Sequence, residues 1–455
     1  MDKQNLYQRL REAFPFMTFE DFSLEKFEGG IKIRYNFNLA DRFTFSPELV
    51  IAQREYYHFD IADKRLQNLA FHVGMVEMIS YWKAACPPKL IIKPTKLDAE
   101  QIAWWKKLWF RGLGEFFYTN GITPGYDDFI EIFSNENNLY QPFTFKHQPG
   151  AIVPLGGGKD SVVTLELLRQ NHYAITPFIL NPRGASLDTA TTAGFTENQV
   201  AVAFRTIHPQ LLELNRQGFL NGHTPFSALL AFVTLIPALI SGAKNIALSN
   251  ESSANEDTVA GTGVNHQYSK SFEFEKDFRE YVAKFISPDF NYFSFLRPLN
   301  ELQIGKIFSQ QPAYFPVFKS CNVGSKTNSW CGHCPKCLFT WIILSPFLSK
   351  DTLVNIFGKD LSEDASLTNY LDELTGIAPV KPFECVGTVD EVNAVLQHQI
   401  QKLKNTDWSV MIRHYLDHNE TDKQKYPLLE NILNQFNEEN FLLPEFVTLL
   451  KTALS

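Results

Sequence analysis

GAIVPLGGGKDSVVTLELLR, residues Gly150–Arg169, is the stretch from which the fold is read. Ala151–Leu155 is an apolar run of strand type. It breaks at Gly156-Gly157-Gly158-Lys159-Asp160-Ser161, and Val162, Val163, Leu165, Leu167 and Leu168 follow with the pattern of a buried helix. A strand that turns through glycines into a helix N-terminus builds an anion site. Glycine lets the backbone approach a phosphate, and the free N–H groups of the first helical turn point at it. The bland alternative is a glycine turn before a core helix, but strand and helix fall where a phosphate loop requires them.

Two familiar phosphate loops do not fit. A Walker A loop needs Ser or Thr directly after its Gly-Lys, and here Gly158-Lys159 is followed by Asp160. The dinucleotide fingerprint fails at its last glycine, which is Ser161. The run instead resembles the pyrophosphate loop (PP-loop) of N-type ATP pyrophosphatases, S-G-G-x-D-S. Gly157, Gly158, Asp160 and Ser161 match, while Gly156 replaces the first serine. Those enzymes split ATP into AMP and pyrophosphate, commonly activating a carboxyl or carbonyl oxygen. The resemblance implies ATP held by Gly156, Gly157, Gly158, Lys159, Asp160 and Ser161.

Working outward, strands are expected at Ala151–Leu155, Ile175–Leu180, Val200–Ile207 and Ile246–Leu248, with helices between them, Pro225–Ile240 included. The alternation gives an α/β fold, a parallel sheet with helices on both faces. In such sheets ligands sit beyond the carboxyl ends of the strands. That rim carries the Gly156 loop, Asn181–Arg183 and Ser249–Asn255. Arg183, Asn250 and Glu251 are the candidate substrate contacts; a surface arginine and a solvated, helix-capping loop are the plain alternatives.

Residues 1–147 are expected to form an N-terminal α+β domain for substrate recognition. Gly29-Gly30 opens an alternating strand, Asp41–Val50 reads as a second, and Leu66–Ala85 and Asp98–Phe117 read as helices. Trp104, Trp105 and Trp109 read as core, and Glu77, Tyr81 and Lys83 are either core too or the edge of a substrate cleft. A PP-loop domain is expected over 148–400 and a helical extension over 401–455.

The 455 residues are 44% hydrophobic and 20% charged, enough for a large core in two or three domains. A net charge of −8 argues against nucleic-acid binding, which leaves a basic footprint. The apolar run Phe226–Ile240 has 15 residues and contains Pro237, too short for a membrane span. Met1–Glu12 lacks the apolar core of a secretory signal. The protein is expected to be cytoplasmic.

Four of the six cysteines, Cys321, Cys331, Cys334 and Cys337, follow a C-x9-C-x2-C-x2-C spacing. That knuckle suits a metal in a reducing compartment better than a disulfide framework. It can close a tetrahedral Zn²⁺ site, which is structural when all four ligands are protein. An iron–sulfur cluster and unligated thiols are the alternatives; the downstream fourth cysteine of a ferredoxin run is missing.

A PP-loop followed by this knuckle is similar to 7-cyano-7-deazaguanine synthase over the middle of the chain. A wider resemblance spans nearly the whole chain. GMVEMISYWK (Gly74–Lys83), PLGGGKDSVVTL (Pro154–Leu165), CGHCPKC (Cys331–Cys337) and KPFECVG (Lys381–Gly387) resemble the ATP-dependent UDP-N-acetylmuramoyl-L-alanyl-L-glutamate epimerases of some bacteria. This resemblance implies inversion of the terminal L-glutamate of a small UDP-linked peptidoglycan precursor, with ATP split to AMP and pyrophosphate in the presence of Mg²⁺. Adenylation removes the carboxylate charge, so the α-proton can leave. In that chemistry the N–H groups of Gly156–Gly158 and the Ser161 hydroxyl hold pyrophosphate, Asp160 positions Mg²⁺ or the loop itself, and Lys159 offsets developing charge. Cys385 is the candidate acid–base, against the plain reading of a small buried hydrophobe, with His223 and His266 as others. The runner-up function is an ATP-dependent ligase or amidating enzyme.

Overall fold

Alternating apolar runs and the turns between them make eleven strands among the described residues, joined in a large sheet within a mixed α/β fold. They are β1 Phe16–Phe27, β2 Gly30–Leu39, β3 Phe43–Phe45, β4 Glu48–Ala52, β5 Lys89–Ile92, β6 Glu131–Ser134, β7 Gln148–Pro154, β8 Ile175–Leu180, β9 Ala201–Arg205, β10 Ala243–Leu248 and β11 Asn291–Ser294. The computed structural model describes residues 2–455 except 56, 59, 135–138, 260, 262, 405–406 and 419–425. The chain divides into two compact units. One comprises Met1–Ile152, Asn198–Ile246 and Tyr268–Tyr292; the other comprises Val153–Glu197, Ala247–Gln267 and Phe293–Ser455.

In the first unit β1 and β2 pair antiparallel, with a bulge between Phe19 and Asp21. β5 runs parallel to β1, and β6 parallel to β5. β3 and β4 each pair antiparallel with β2. Asp41–Val50, expected as one strand, is these two pieces, because Pro47 between them has no N–H for the ladder. The sequence reading also puts Val200–Ile207 in a parallel sheet. In the structure β9 runs antiparallel to β4, Leu49 facing Arg205; apolar periodicity carries no information on strand direction. β7 and β10 do pair parallel, Gln148–Ile152 beside Ala243–Ile246.

The helix Lys64–Glu77 packs on the helix Phe226–Ser241 and on β1. Gly74 makes the second contact feasible, since a Cβ there would lie 2.5 Å from the Phe19 ring. Trp82, Trp105, Trp109 and Phe232 fill the core, all buried.

In the second unit the chain leaves β7 beside β8, with the Leu155 N–H donating to the Phe178 carbonyl at 2.8 Å. The helix Lys159–Gln170 packs on Glu301–Ser309. The helices Pro335–Leu344, Thr368–Thr375, Val389–Lys402 and Val410–His418 pack among themselves. No helix among the described residues is long and apolar enough to cross a membrane.

Candidate active site and metal centre

Gly158 is the N-cap of the helix Lys159–Gln170 and supplies no side-chain cap to its first turn. Gly157 has φ +83°, and a Cβ on it would stand 2.6 Å from the carbonyl carbon of Ala185. Only glycine suits that position. The Ser161 hydroxyl donates to the Gly158 carbonyl at 2.9 Å. The result is a close-packed loop that ends in an amide-lined helix start, the local form that receives an anion.

Lys159 does not project from this loop. It is 4% exposed and pairs with Asp160 at 2.5 Å and with the Glu301 carboxylate. Burial works against its charge, but Asp160 and Glu301 outweigh burial and raise its pKa. Glu301 belongs to a buried acidic group with Glu251 and Glu391. Burial pushes Glu251 up to about 7, with further repulsion from Glu391 and Asp160. Burial also pushes Glu301 up to about 7, opposed by Lys159, and raises Glu391, on which Glu301 adds repulsion.

Sequence reasoning misses Glu301 and Glu391. Glu301 opens the Asn300-capped helix, and Glu391 closes a capping box with Thr388. Each therefore reads as ordinary helix-start chemistry, and nothing local announces that they meet.

The other rim residues are placed as follows. Arg183 caps the helix Gly184–Thr192 and donates through Nη1 to the Ser325 hydroxyl at 2.6 Å. Asn250 donates to Ser294 Oγ at 3.1 Å. Glu251 accepts from the Ser253 N–H, and its carbonyl accepts from Arg297 Nη1 at 2.8 Å. The segment Lys381–Gly387 lies against the acidic group, since a Cβ on Gly387 would stand 2.6 Å from Glu391 Oε2 and 3.1 Å from Glu301 Cγ. Lys381 anchors that segment through Glu256 and through the Gly387 carbonyl at 2.8 Å. Cys385 is half-buried within it, and the His266 ring stands 6.5 Å from that of Phe383.

In the first unit the GMVEMISYWK residues face inward. Arg205 pairs with Glu77 at 2.6 Å and donates to Ser80 at 2.8 Å. The Tyr81 hydroxyl accepts from the His208 N–H at 3.1 Å, and Lys83 donates to Thr224 Oγ1 at 2.8 Å and to the Gly222 carbonyl. Glu77, Tyr81 and Lys83 are buried polar ties of the core. His223 lies 3.0 Å from Glu115 in the same unit.

The Sγ atoms of Cys321, Cys331, Cys334 and Cys337 all lie within 4.8 Å of one another. Separations are 3.8 Å for Cys321–Cys334, 3.7 Å for Cys331–Cys337 and 3.5 Å for Cys334–Cys337. A tetrahedron with Zn–S bonds of about 2.3 Å has S···S edges of about 3.8 Å, whereas a disulfide needs about 2.05 Å. The four thiols fit a tetrahedral metal. His333 is outside the set, its Nδ1 lying 2.8 Å from the Cys331 carbonyl.

With this geometry in place, comparison with known proteins gives a consistent result. A family model described as the MurL N-terminal domain matches residues 8–295, and one described as the MurL C-terminal domain matches residues 317–427. A UDP-N-acetyl-alpha-D-muramoyl-L-alanyl-L-glutamate epimerase of Xanthomonas oryzae pv. oryzae (strain MAFF 311018) is 38% identical over 321 residues, 69% of this chain and 70% of that protein. A protein of the same name from Micromonospora sp. (strain ATCC 39149 / NRRL 15099 / SCC 1413) is 34% identical, covering 70% of this chain and 71% of its own length. Another from Salinispora tropica is 33% identical over 72% of this chain and 73% of its own.

Proposed function

The chain belongs to the MurL family of UDP-N-acetyl-alpha-D-muramoyl-L-alanyl-L-glutamate epimerases, and from that premise we propose that it inverts the terminal L-glutamate of such a UDP-linked dipeptide by adenylating it with ATP. The reaction serves peptidoglycan precursor synthesis in the cytoplasm. The observation that carries the ATP step is the Gly156–Ser161 loop, tight enough to exclude a side chain at Gly157 and ending in a first turn that no side chain caps. Together they support reading it as the pyrophosphate-binding element of a PP-loop core.

The α-hydrogen beside a carboxylate is very weakly acidic, because its removal stacks charge on charge. Transfer of AMP to the glutamate carboxylate replaces that charge with an activated acyl group and releases pyrophosphate, which the loop amides stabilise. An acid–base group then takes the α-proton, and another returns it on the opposite face. Hydrolysis of the acyl-adenylate then frees AMP and the UDP-linked dipeptide, now ending in D-glutamate. Asp160, whose side chain is 35% exposed, would hold Mg²⁺ together with phosphate oxygens, since Mg²⁺ takes few protein ligands. Lys159 acts from behind the loop by fixing Asp160. Cys385 is the proposed acid–base residue, and zinc the proposed metal of the cysteine knuckle.

The test incubates the purified protein with ATP, Mg²⁺ and UDP-N-acetylmuramoyl-L-Ala-L-Glu in deuterated water. Deuterium at the glutamate α-carbon, with AMP formed alongside, is the expected result. Epimerisation with ATP untouched would remove the adenylation step, and an intact substrate would remove the whole reading. Cys385→Ala is expected to abolish α-deuteration while pyrophosphate release continues; full epimerisation by that variant would rule Cys385 out.

A further inference from the structure

The stretch that carries the first metal ligand also touches the phosphate loop. The Lys319 N–H donates to the Gly157 carbonyl at 2.8 Å, and a Cβ on Gly158 would meet the Ser320 Cβ at 3.2 Å. Between Cys321 and Cys331 the chain reaches a second part of the rim. Ser325 accepts from Arg183 at 2.6 Å, and Asn328 donates to Asp188 Oδ2 at 3.0 Å. The Asn328 side chain also lies directly over Gly184, where a Cβ would stand 2.4 Å from its amide carbon. Gly157 itself packs on the start of the same helix, Gly184–Thr192. One short excursion of the chain therefore braces both the phosphate loop and the helix beside it.

That excursion has little core of its own. Asn322, Val323, Lys326, Thr327 and Asn328 are exposed. Its flanks are anchored: the Phe318 ring lies 4.5 Å from Phe308, and the Trp330 ring 4.7 Å from Phe357. Fixed flanks with a solvated middle describe a segment whose shape depends on its cross-link, as in other loops held by a structural metal.

We infer that the four-cysteine centre is a positioning device for nucleotide binding: through Lys319–Asn328 it clamps the Gly156–Ser161 loop and the start of the Gly184–Thr192 helix. The inference rests on the reading of that loop as the ATP site. The flanking aromatics keep the fold when the metal leaves, so what is lost is the preorganisation of the loop amides, and binding then has to supply that ordering itself.

The test uses the full chain. A reduced, chelator-treated sample is compared with the metal-loaded protein by ATP–Mg²⁺ titration and by amide hydrogen exchange at residues 156–162 and 184–189. Metal removal is expected to weaken ATP binding by about tenfold and to speed exchange in both segments, with reversal on adding Zn²⁺. Unchanged affinity and exchange would overturn the clamp. A Ser325→Ala/Asn328→Ala variant keeps all four thiols and answers the objection that metal loss unfolds the unit. It is expected to retain its metal and its melting temperature yet show faster exchange at 184–189 and weaker ATP binding; wild-type behaviour in both would overturn the inference. If the metal-loaded wild type fails to bind ATP, the functional reading of the loop fails, while the exchange comparison still decides the clamp.

Discussion

At Lys159 a motif position and its chemistry come apart. A lysine inside a phosphate loop suggests a hand laid on the phosphates, but this one is buried against Glu301 and Asp160. Removing it strands Glu301, a carboxylate that burial already penalises. Lys159→Ala is therefore expected to destabilise the protein by about 3–5 kcal/mol, the usual cost of breaking a buried pair, and Lys159→Met/Glu301→Leu to recover most of the loss. Urea unfolding of the three proteins checks this; a Lys159→Ala variant of wild-type stability that fails only in turnover would return the lysine to the phosphates. His72 makes a second residue-scale case. Its Nδ1–H donates to the Asn68 carbonyl at 2.9 Å, and its Nε2 accepts from the Tyr281 hydroxyl at 3.1 Å. That arrangement requires the neutral ring, and burial lowers its pKa from 6.5 to about 4. The unfolded chain binds the proton first, so stability is fully present above pH 6.5 and declines as pH falls toward 4, by about 3 kcal/mol in all. An NMR titration that found His72 protonating near pH 6.5 in the folded protein would refute this.

Among the elements, the Glu77–Arg205 pair ties the helix Lys64–Glu77 to β9, with Ser80 as a third partner. Glu77→Gln keeps the shape but takes the carboxylate charge from a largely covered guanidinium, and a loss of about 3 kcal/mol is expected on thermal or urea unfolding. A loss below about 0.5 kcal/mol would mean water serves Arg205 equally well. The sequence shows where such elements are when their pattern is unbroken. Ile175–Leu180 was legible as β8 to the residue, whereas the helix read as following Ser161 already begins at Lys159, inside the loop. β1 was not legible, although it is the longest strand. Its bulge at Phe19/Asp21 shifts the alternation, so Met17 and Phe19 point inward in one phase and Phe22 and Leu24 lean inward in the other. Glu20, Asp21, Glu25 and Lys26 then make the stretch look like surface. The acidic group around Glu251 was half legible, for a similar reason. Glu251 follows a strand and sits on a predicted rim, whereas Glu301 and Glu391 reach it only through tertiary packing.

For the whole molecule, the chain enters its first unit three times, and the later visits complete its centre. Tyr281 accepts from Trp105 Nε1 at 2.9 Å, and its ring lies 4.2 Å from that of Trp104, tilted by 31°. Phe232 stacks 5.2 Å from Trp105, and Arg205 neutralises Glu77. None of these partners is visible from residues 1–147, where four tryptophans and two apolar-faced helices look self-sufficient. Long-range partners leave no periodic trace, because a local pattern records only that a face is buried and never what buries it. A fragment of residues 1–147 would lack β9, the helix Phe226–Ser241 and the helix Phe272–Phe285. It would leave Trp104, Trp105 and the apolar face of Lys64–Glu77 in water, and Glu77 without its cation. Its expected behaviour is that of a collapsed, aggregation-prone chain with a weak near-ultraviolet circular dichroism signal and no cooperative urea transition, whereas the full chain is expected to give a strong aromatic signal and to unfold cooperatively. A sharp transition with near-native aromatic dichroism in the fragment would mean that the first visit folds by itself and the later segments only dock upon it.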